Sequence, residues 1–241
     1  MSVSVHKVEN NLLPILKKYF EKEYGFKDDL SNIHTLLSSD KISKEDKEFH
    51  TEIKKFGVDD RKSVFIKRFH SYVDSCENFN EEYFLFLRKN VLPFFPEEEK
   101  ILVQKTPNLR ISFPNLTAIG KKDSDLSEDI IGVHSDSDFG HHSSEINFVV
   151  PITKMFDTNS IYYEPSINSS MSYADYSNLK LETDEMCMAY FNKLRHYNKI
   201  NMTGATRISF DFRVIPFSKY SENLSYFEGT KFELGSYYII L

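Results

Sequence analysis

Thr206-Arg-Ile-Ser-Phe-Asp-Phe-Arg-Val-Ile-Pro216 carries more information about the fold than any other stretch of this chain. Arg207, Ser209, Asp211 and Arg213 alternate with Ile208, Phe210, Phe212 and Val214. Successive side chains of a strand point to opposite faces, so the segment reads as a β-strand with one apolar and one polar face. A solvent-facing edge strand shows the same alternation. The other possibility is a strand whose polar face lines a pocket between two sheets, where charged groups need partners.

Working outward from this strand, residues 97–241 show alternation and short apolar runs. Strands are expected over 109–113, 132–136, 145–151, 159–164, 178–182, 185–192 and 195–198, with a last one over 231–240. Turn chemistry separates them at Thr158-Asn159, Glu164-Pro165, Thr183-Asp184 and Thr203-Gly204. Many short strands at even spacing suggest a double-sheet jelly roll.

Residues 1–96 have a helical period instead. Leu12, Leu13, Leu16, Tyr19 and Phe20 recur along a helix over 10–24 that Gly25 ends. The polar stretch 31–47 reads as loop with short helix. Further helices are expected over 44–56 with Gly57 closing it, and over 61–75 with Asp59 or Asp60 as cap. Another should start at Asn80 and stop at Pro93. The expected fold class is α+β: one domain over 1–241, with N-terminal helices packed on one sheet of a cupin-like jelly roll, a double-stranded β-helix.

The chain has 241 residues, enough to bury a core without disulfides, and a formal net charge of -6. That charge argues against a nucleic-acid partner, which needs a basic patch. Cys76 and Cys187 are far apart and in no zinc-like spacing, so both are expected as free thiols in a reducing compartment. The N-terminus lacks the apolar run of a signal peptide, and no run approaches the ~20 residues of a membrane span. These features set the expectation of a cytoplasmic protein with no membrane partner.

Two groups of residues offer chemistry. His134 and Asp136 lie two apart, and on a strand they share a face. A lone His-x-Asp is weak, and a surface turn explains it equally well. His196 gains meaning from order: His-x-Asp, a long excursion, His, then Arg207-x-Ser209. Two histidines and a carboxylate can hold one face of a six-coordinate Fe(II). An arginine fork matches a carboxylate of a small organic acid.

This order resembles the Fe(II)- and 2-oxoglutarate-dependent oxygenases, whose motif is HxD…H followed by Arg-x-Ser on a double-stranded β-helix. Locally, Gly132-Val-His-Ser-Asp-Ser-Asp-Phe-Gly-His141 and Ser144-Glu-Ile-Asn-Phe-Val-Val-Pro-Ile-Thr153 are similar to the StrG-like branch, called after a streptomycin-biosynthesis protein. So are Thr158-Asn-Ser-Ile-Tyr-Tyr-Glu164 and Thr203-Gly-Ala-Thr through Pro216. The resemblance covers roughly 104–216 and not the N-terminal helices. Residues 166–178 and Phe191-Asn192-Lys193 depart from the pattern, which bears on the substrate pocket more than on the metal site.

The resemblance implies that His134, Asp136 and His196 ligate iron. It implies that Arg207, assisted by Ser209, binds the far carboxylate of 2-oxoglutarate, with dioxygen as the oxidant. The expected activity is hydroxylation of a small molecule, sugar-like or a secondary metabolite. A carboxylate at Asp136 argues against halogenation, which needs that position vacated. His141, Asn147 and Arg213 are candidate substrate residues. Glu145 and Asn147 face either the cavity or solvent, and His6, His34, His50 and His70 are expected on the surface. Two other readings stay open: a metal-dependent cupin isomerase or lyase using His141 or His142 in place of His196, and a non-catalytic β-sandwich binding module.

Overall fold

A computed structural model describes residues 3–44, 47–48, 63–116, 131–167 and 172–241. Two antiparallel sheets and a set of N-terminal helices make up the described fold. The strands are β1 (Val3–Lys7), β2 (Ile101–Gln104), β3 (Asn108–Ser112), β4 (Ile131–His134), β5 (Ile146–Pro151) and β6 (Ile161–Tyr163). They continue with β7 (Ser177–Asn178), β8 (Glu185–Ala189), β9 (His196–Asn198), β10 (Arg207–Pro216) and β11 (Tyr238–Ile240). The larger sheet runs β1-β8-β5-β10-β2-β11, with β3 also paired to β10, and the smaller runs β4-β9-β6-β7.

Strand β10 is central. Its N-terminal half pairs with β3 and its C-terminal half with β2, while β5 lies along its other side. The edge-strand explanation of its alternating pattern therefore falls. Ile208, Phe210, Phe212 and Val214 are each 0% exposed, and Arg207, Ser209 and Arg213 on the opposite face are buried as well.

The apolar face of β10 packs against the helices α2 (Val64–Ser75) and α3 (Glu77–Asn90), and α1 (Leu12–Tyr24) belongs to the same apolar cluster. Phe210 meets Phe69 of α2 at 5.5 Å and Phe79 of α3 at 5.8 Å between ring centroids. Phe212 meets Tyr83 edge-on at 5.6 Å and stacks on Phe148 of β5 at 5.5 Å. One buried apolar cluster contains residues of all three helices and of the larger sheet. Helix α1 ends at Gly25, which takes the left-handed conformation (φ 58°) that favours glycine.

Several elements differ from the sequence expectation. Residues 3–7, for which no strand is expected, form the edge strand β1 against β8, since Val3-Ser-Val5 needs only one partner edge to pair. Strand β2 was not expected, because Ile101-Leu-Val-Gln104 has no alternation. All four residues are buried, and a strand buried on both faces reads as an unbroken apolar run. Helix α3 starts at Glu77 rather than Asn80, without a side-chain cap, and the extra turn buries Phe79 completely. The expected strand over 231–240 shrinks to β11, and two short helices, α4 (Phe217–Glu222) and α5 (Leu224–Phe227), precede it. The helix expected over 44–56 with Gly57, the caps Asp59 and Asp60, and His50 fall wholly or largely outside the described residues. His6, His34 and His70 are half-buried rather than on the surface.

Candidate metal centre

His134 ends β4 and His196 begins β9, and the register of these antiparallel strands sets the two residues directly opposite each other. Directly opposed side chains lie on one face of the sheet. The imidazole centroids are 4.3 Å apart. Asp136 arrives by a different route than strand alternation. Strand β4 stops at His134, and Asp136 opens a 3-10 turn, Asp136–Phe139. Ser135 and Asp138 lock that turn in a capping box, and Gly140 closes it at φ 79°.

The donor atoms converge. Asp136 Oδ1 lies 3.8 Å from His134 Nε2 and 3.7 Å from His196 Nε2. Two donors bound to one ion at about 2.1 Å each are at most about 4.2 Å apart, so these separations fit a shared cation. His134, Asp136 and His196 are a cluster of metal-ligand type among the described residues, with donor atoms within 4.8 Å of one another. His141 and His142 lie outside that cluster.

The hydrogen bonds fix which lone pairs face the centre. Nδ1 of His134 is bonded to the carbonyl of Gly132, and Nδ1 of His196 to the carbonyl of Leu194 at 3.1 Å. A carbonyl oxygen only accepts, so each Nδ1 carries a hydrogen and each Nε2 is the nitrogen turned to the centre, where a neutral ring has its lone pair. Burial pushes the His196 pKa down to about 4, against the opposing pull of Asp136, so the ring is neutral at pH 7. Burial alone raises the Asp136 pKa. The Arg213 guanidinium, His196, His141 and the Asn147 amide together outweigh it and hold the carboxyl well below the usual carboxylate range. With both rings neutral, two Nε2 lone pairs and Asp136 Oδ1 face one point. Such an arrangement is repulsive alone and becomes favourable around a cation, so the donor set fits a divalent metal such as iron.

The polar face of β10 brackets this centre. Arg213 donates to Asp136 Oδ2 from Nη2 at 2.8 Å and from Nε at 3.1 Å. Asn147 of β5 donates to the same oxygen at 2.7 Å. At the other end of β10, Arg207 is 2% exposed and donates from Nη1 to Asn198 Oδ1 at 3.1 Å. Asn198 lies two residues after His196 on β9, so the face of β10 turned away from the helices looks onto the smaller sheet. Ser209 is buried on that face between the two arginines.

Glu145 is fully buried, which excludes the solvated-face alternative for it and for Asn147. It accepts from His141 Nδ1 at 2.6 Å and lies 3.7 Å from Arg213 Nε. His141 in turn packs on Phe232 and Tyr237. Asn198, Gln104 and Tyr237 did not emerge from the sequence. Period-two spacing from His196 is enough to find Asn198. Gln104 and Tyr237 reach the Arg213 guanidinium at 3.4 Å only through the tertiary fold.

No family model matches the chain. It is 30% identical over 146 residues to the streptomycin biosynthesis protein StrG of Streptomyces griseus, a match spanning 59% of this chain and 61% of that protein. Among solved structures, AviO1 from Streptomyces viridochromogenes Tue57 aligns over 89% of both chains at 9% identity, with a TM-score of 0.41. HygX from Streptomyces hygroscopicus with nickel and 2-oxoglutarate bound aligns over 73% of this chain and 87% of its own, at 10% identity and a TM-score of 0.32. Among the described residues no helix is long and apolar enough to cross a membrane. The chain is thus similar to StrG over about three-fifths of either length, and its own fold carries a His-Asp-His cluster.

Proposed function

We propose that this protein is an Fe(II)- and 2-oxoglutarate-dependent oxygenase that hydroxylates a small molecule. In this reading the two sheets are the halves of a double-stranded β-helix, and the helical part and the sheets are one folding unit. His134, Asp136 and His196 hold the iron. Arg207, with Ser209 beside it, receives the far carboxylate of 2-oxoglutarate. The observation that carries the reading is the convergence of three lone-pair donors on one point, with a buried arginine bonded to the residue two beyond His196.

Bound iron with 2-oxoglutarate and dioxygen supplies the oxidising power for attack on a C–H bond. The chain's own residues bind, orient and exclude water. The backbone carbonyls of Gly132 and Leu194 hold the histidine rings in the ligating tautomer. The two-residue period of β10 sets Arg207 and Arg213 at opposite ends of one polar face. One can receive an anionic co-substrate while the other holds the ligand carboxylate. The guanidinium is planar and always charged, so a carboxylate docks on it in a defined orientation.

The experiment is anaerobic titration of the protein with Fe(II) and 2-oxoglutarate. A visible charge-transfer band is expected in the wild type and is expected to be lost in Arg207→Ala. No band in the wild type overturns the proposal.

A further inference from the structure

Asp136 is held in an unusual way for a buried carboxylate beside an arginine. A free pair of this kind tends toward two parallel bonds, one to each oxygen. Here Arg213 directs both Nε and Nη2 to Oδ2, and Asn147 adds a third donor to that oxygen. One oxygen is therefore saturated, and Oδ1 is left turned toward the two Nε2 atoms.

Arg213 is itself fixed from several sides. Glu145 lies 3.7 Å from Nε, and Gln104 Oε1 and Tyr237 Oη each lie 3.4 Å from Nη1. Tyr237 also donates to Gln104 Oε1 at 3.0 Å. Gln104 belongs to β2, Tyr237 comes from the C-terminal segment and Glu145 immediately precedes β5. Three separate parts of the chain thus set the angle of one guanidinium.

We infer that Arg213 and Asn147 are positioning residues that fix Asp136 as a one-oxygen metal ligand, rather than residues that touch the substrate. The inference rests on the metal-centre reading above. Occupying Oδ2 prevents the carboxylate from chelating the ion through both oxygens. The positions that a second oxygen would take stay open for co-substrate and dioxygen.

The test needs no turnover. The guanidinium charge repels a cation, so removing it would by itself strengthen metal binding and mask a loss of geometry. Arg213→Lys keeps the charge and removes the fork, and Asn147→Ala removes one neutral donor. Cobalt(II) titration of the full chain, followed by visible absorption and calorimetry, reads the affinity directly. Arg213→Lys is expected to weaken cobalt(II) binding about 10- to 100-fold and to change the absorption band shape, with Asn147→Ala about 10-fold weaker. Thermal melts establish that each variant is folded, and if Arg213→Lys is not, Asn147→Ala decides alone. A residue with a purely structural role lowers the melting temperature and leaves affinity and band shape unmoved. Folded variants that bind within about two-fold of the wild type, with unchanged bands, overturn the inference. Absence of stoichiometric uptake by the wild type overturns the metal centre itself, which is a different result.

Discussion

His134 and His196 are direct cross-strand partners on β4 and β9, with ring centroids 4.3 Å apart. That pairing turns two histidines distant in sequence into neighbours on one sheet face. The turn following β4 then swings Asp136 across both rings. Because each Nδ1 is bonded to a carbonyl, both rings turn Nε2 toward the same point.

The His196 pKa gives the metal-free protein a predictable pH dependence. The folded-state value is depressed to about 4 from an ordinary 6.5, so between these values the unfolded chain binds a proton that the folded chain refuses. Stability therefore falls as pH drops through that window, by about 1.4 kcal/mol per pH unit at most. Asp136, held below its ordinary value, adds stability that is lost only at still lower pH. Thermal melts of metal-free wild type and His196→Gln between about pH 4 and 7 check this. The variant should show a flatter profile, and parallel profiles contradict the assignment.

Arg207→Ala should separate the two halves of the site. Calorimetry is expected to show loss of 2-oxoglutarate binding by at least about ten-fold, roughly 1.4 kcal/mol. Cobalt(II) affinity should stay within a few-fold of wild type. Arg207→Lys should also bind 2-oxoglutarate weakly, since a point charge lacks the planar fork. Equal loss of metal and co-substrate in both variants would place Arg207 in the scaffold instead.

Phe210→Ala tests the junction of helices and sheet. The ring is 0% exposed and touches Phe69 and Phe79 on two helices. Truncation should cost about 3–5 kcal/mol in urea denaturation, from lost transfer energy plus the cavity left behind. A cost under about 1 kcal/mol would mean that the helices do not depend on this contact.

Gly140→Ala probes the turn that carries Asp136. Gly140 sits at φ 79°, and an added Cβ meets only Phe232 Cε2, at 3.9 Å. The space is ordinary, so the cost comes from the left-handed backbone and should be about 1–2 kcal/mol by denaturation. A neutral substitution would show that the turn relaxes to another conformation without penalty.

Much of the site was legible in the order of residues along the chain. His134, Asp136, His196 and Arg207 were found from spacing and from a family resemblance. The alternation in β10 correctly separated Arg207, Ser209 and Arg213 from Ile208, Phe210 and Phe212. What alternation left open was whether the polar face met water or a second sheet, because both give the same pattern. Burial of Arg207, Ser209 and Arg213, with the bond from Arg207 to Asn198 of the smaller sheet, resolved that. Strands β1 and β2 were missed for opposite reasons: one is a short edge segment, the other an apolar run without period.

The residues alone thus specified the local periods, the donor types and their order, since these depend on side-chain chemistry and near-neighbour geometry. Only the folded chain revealed that Asp136 reaches the histidines from a turn, that Arg213 and Asn147 grip its outer oxygen, and that Gln104, Glu145 and Tyr237 hold Arg213 in turn. Those relations join positions far apart in sequence. They are set by strand register and by packing between sheets, which no local pattern encodes.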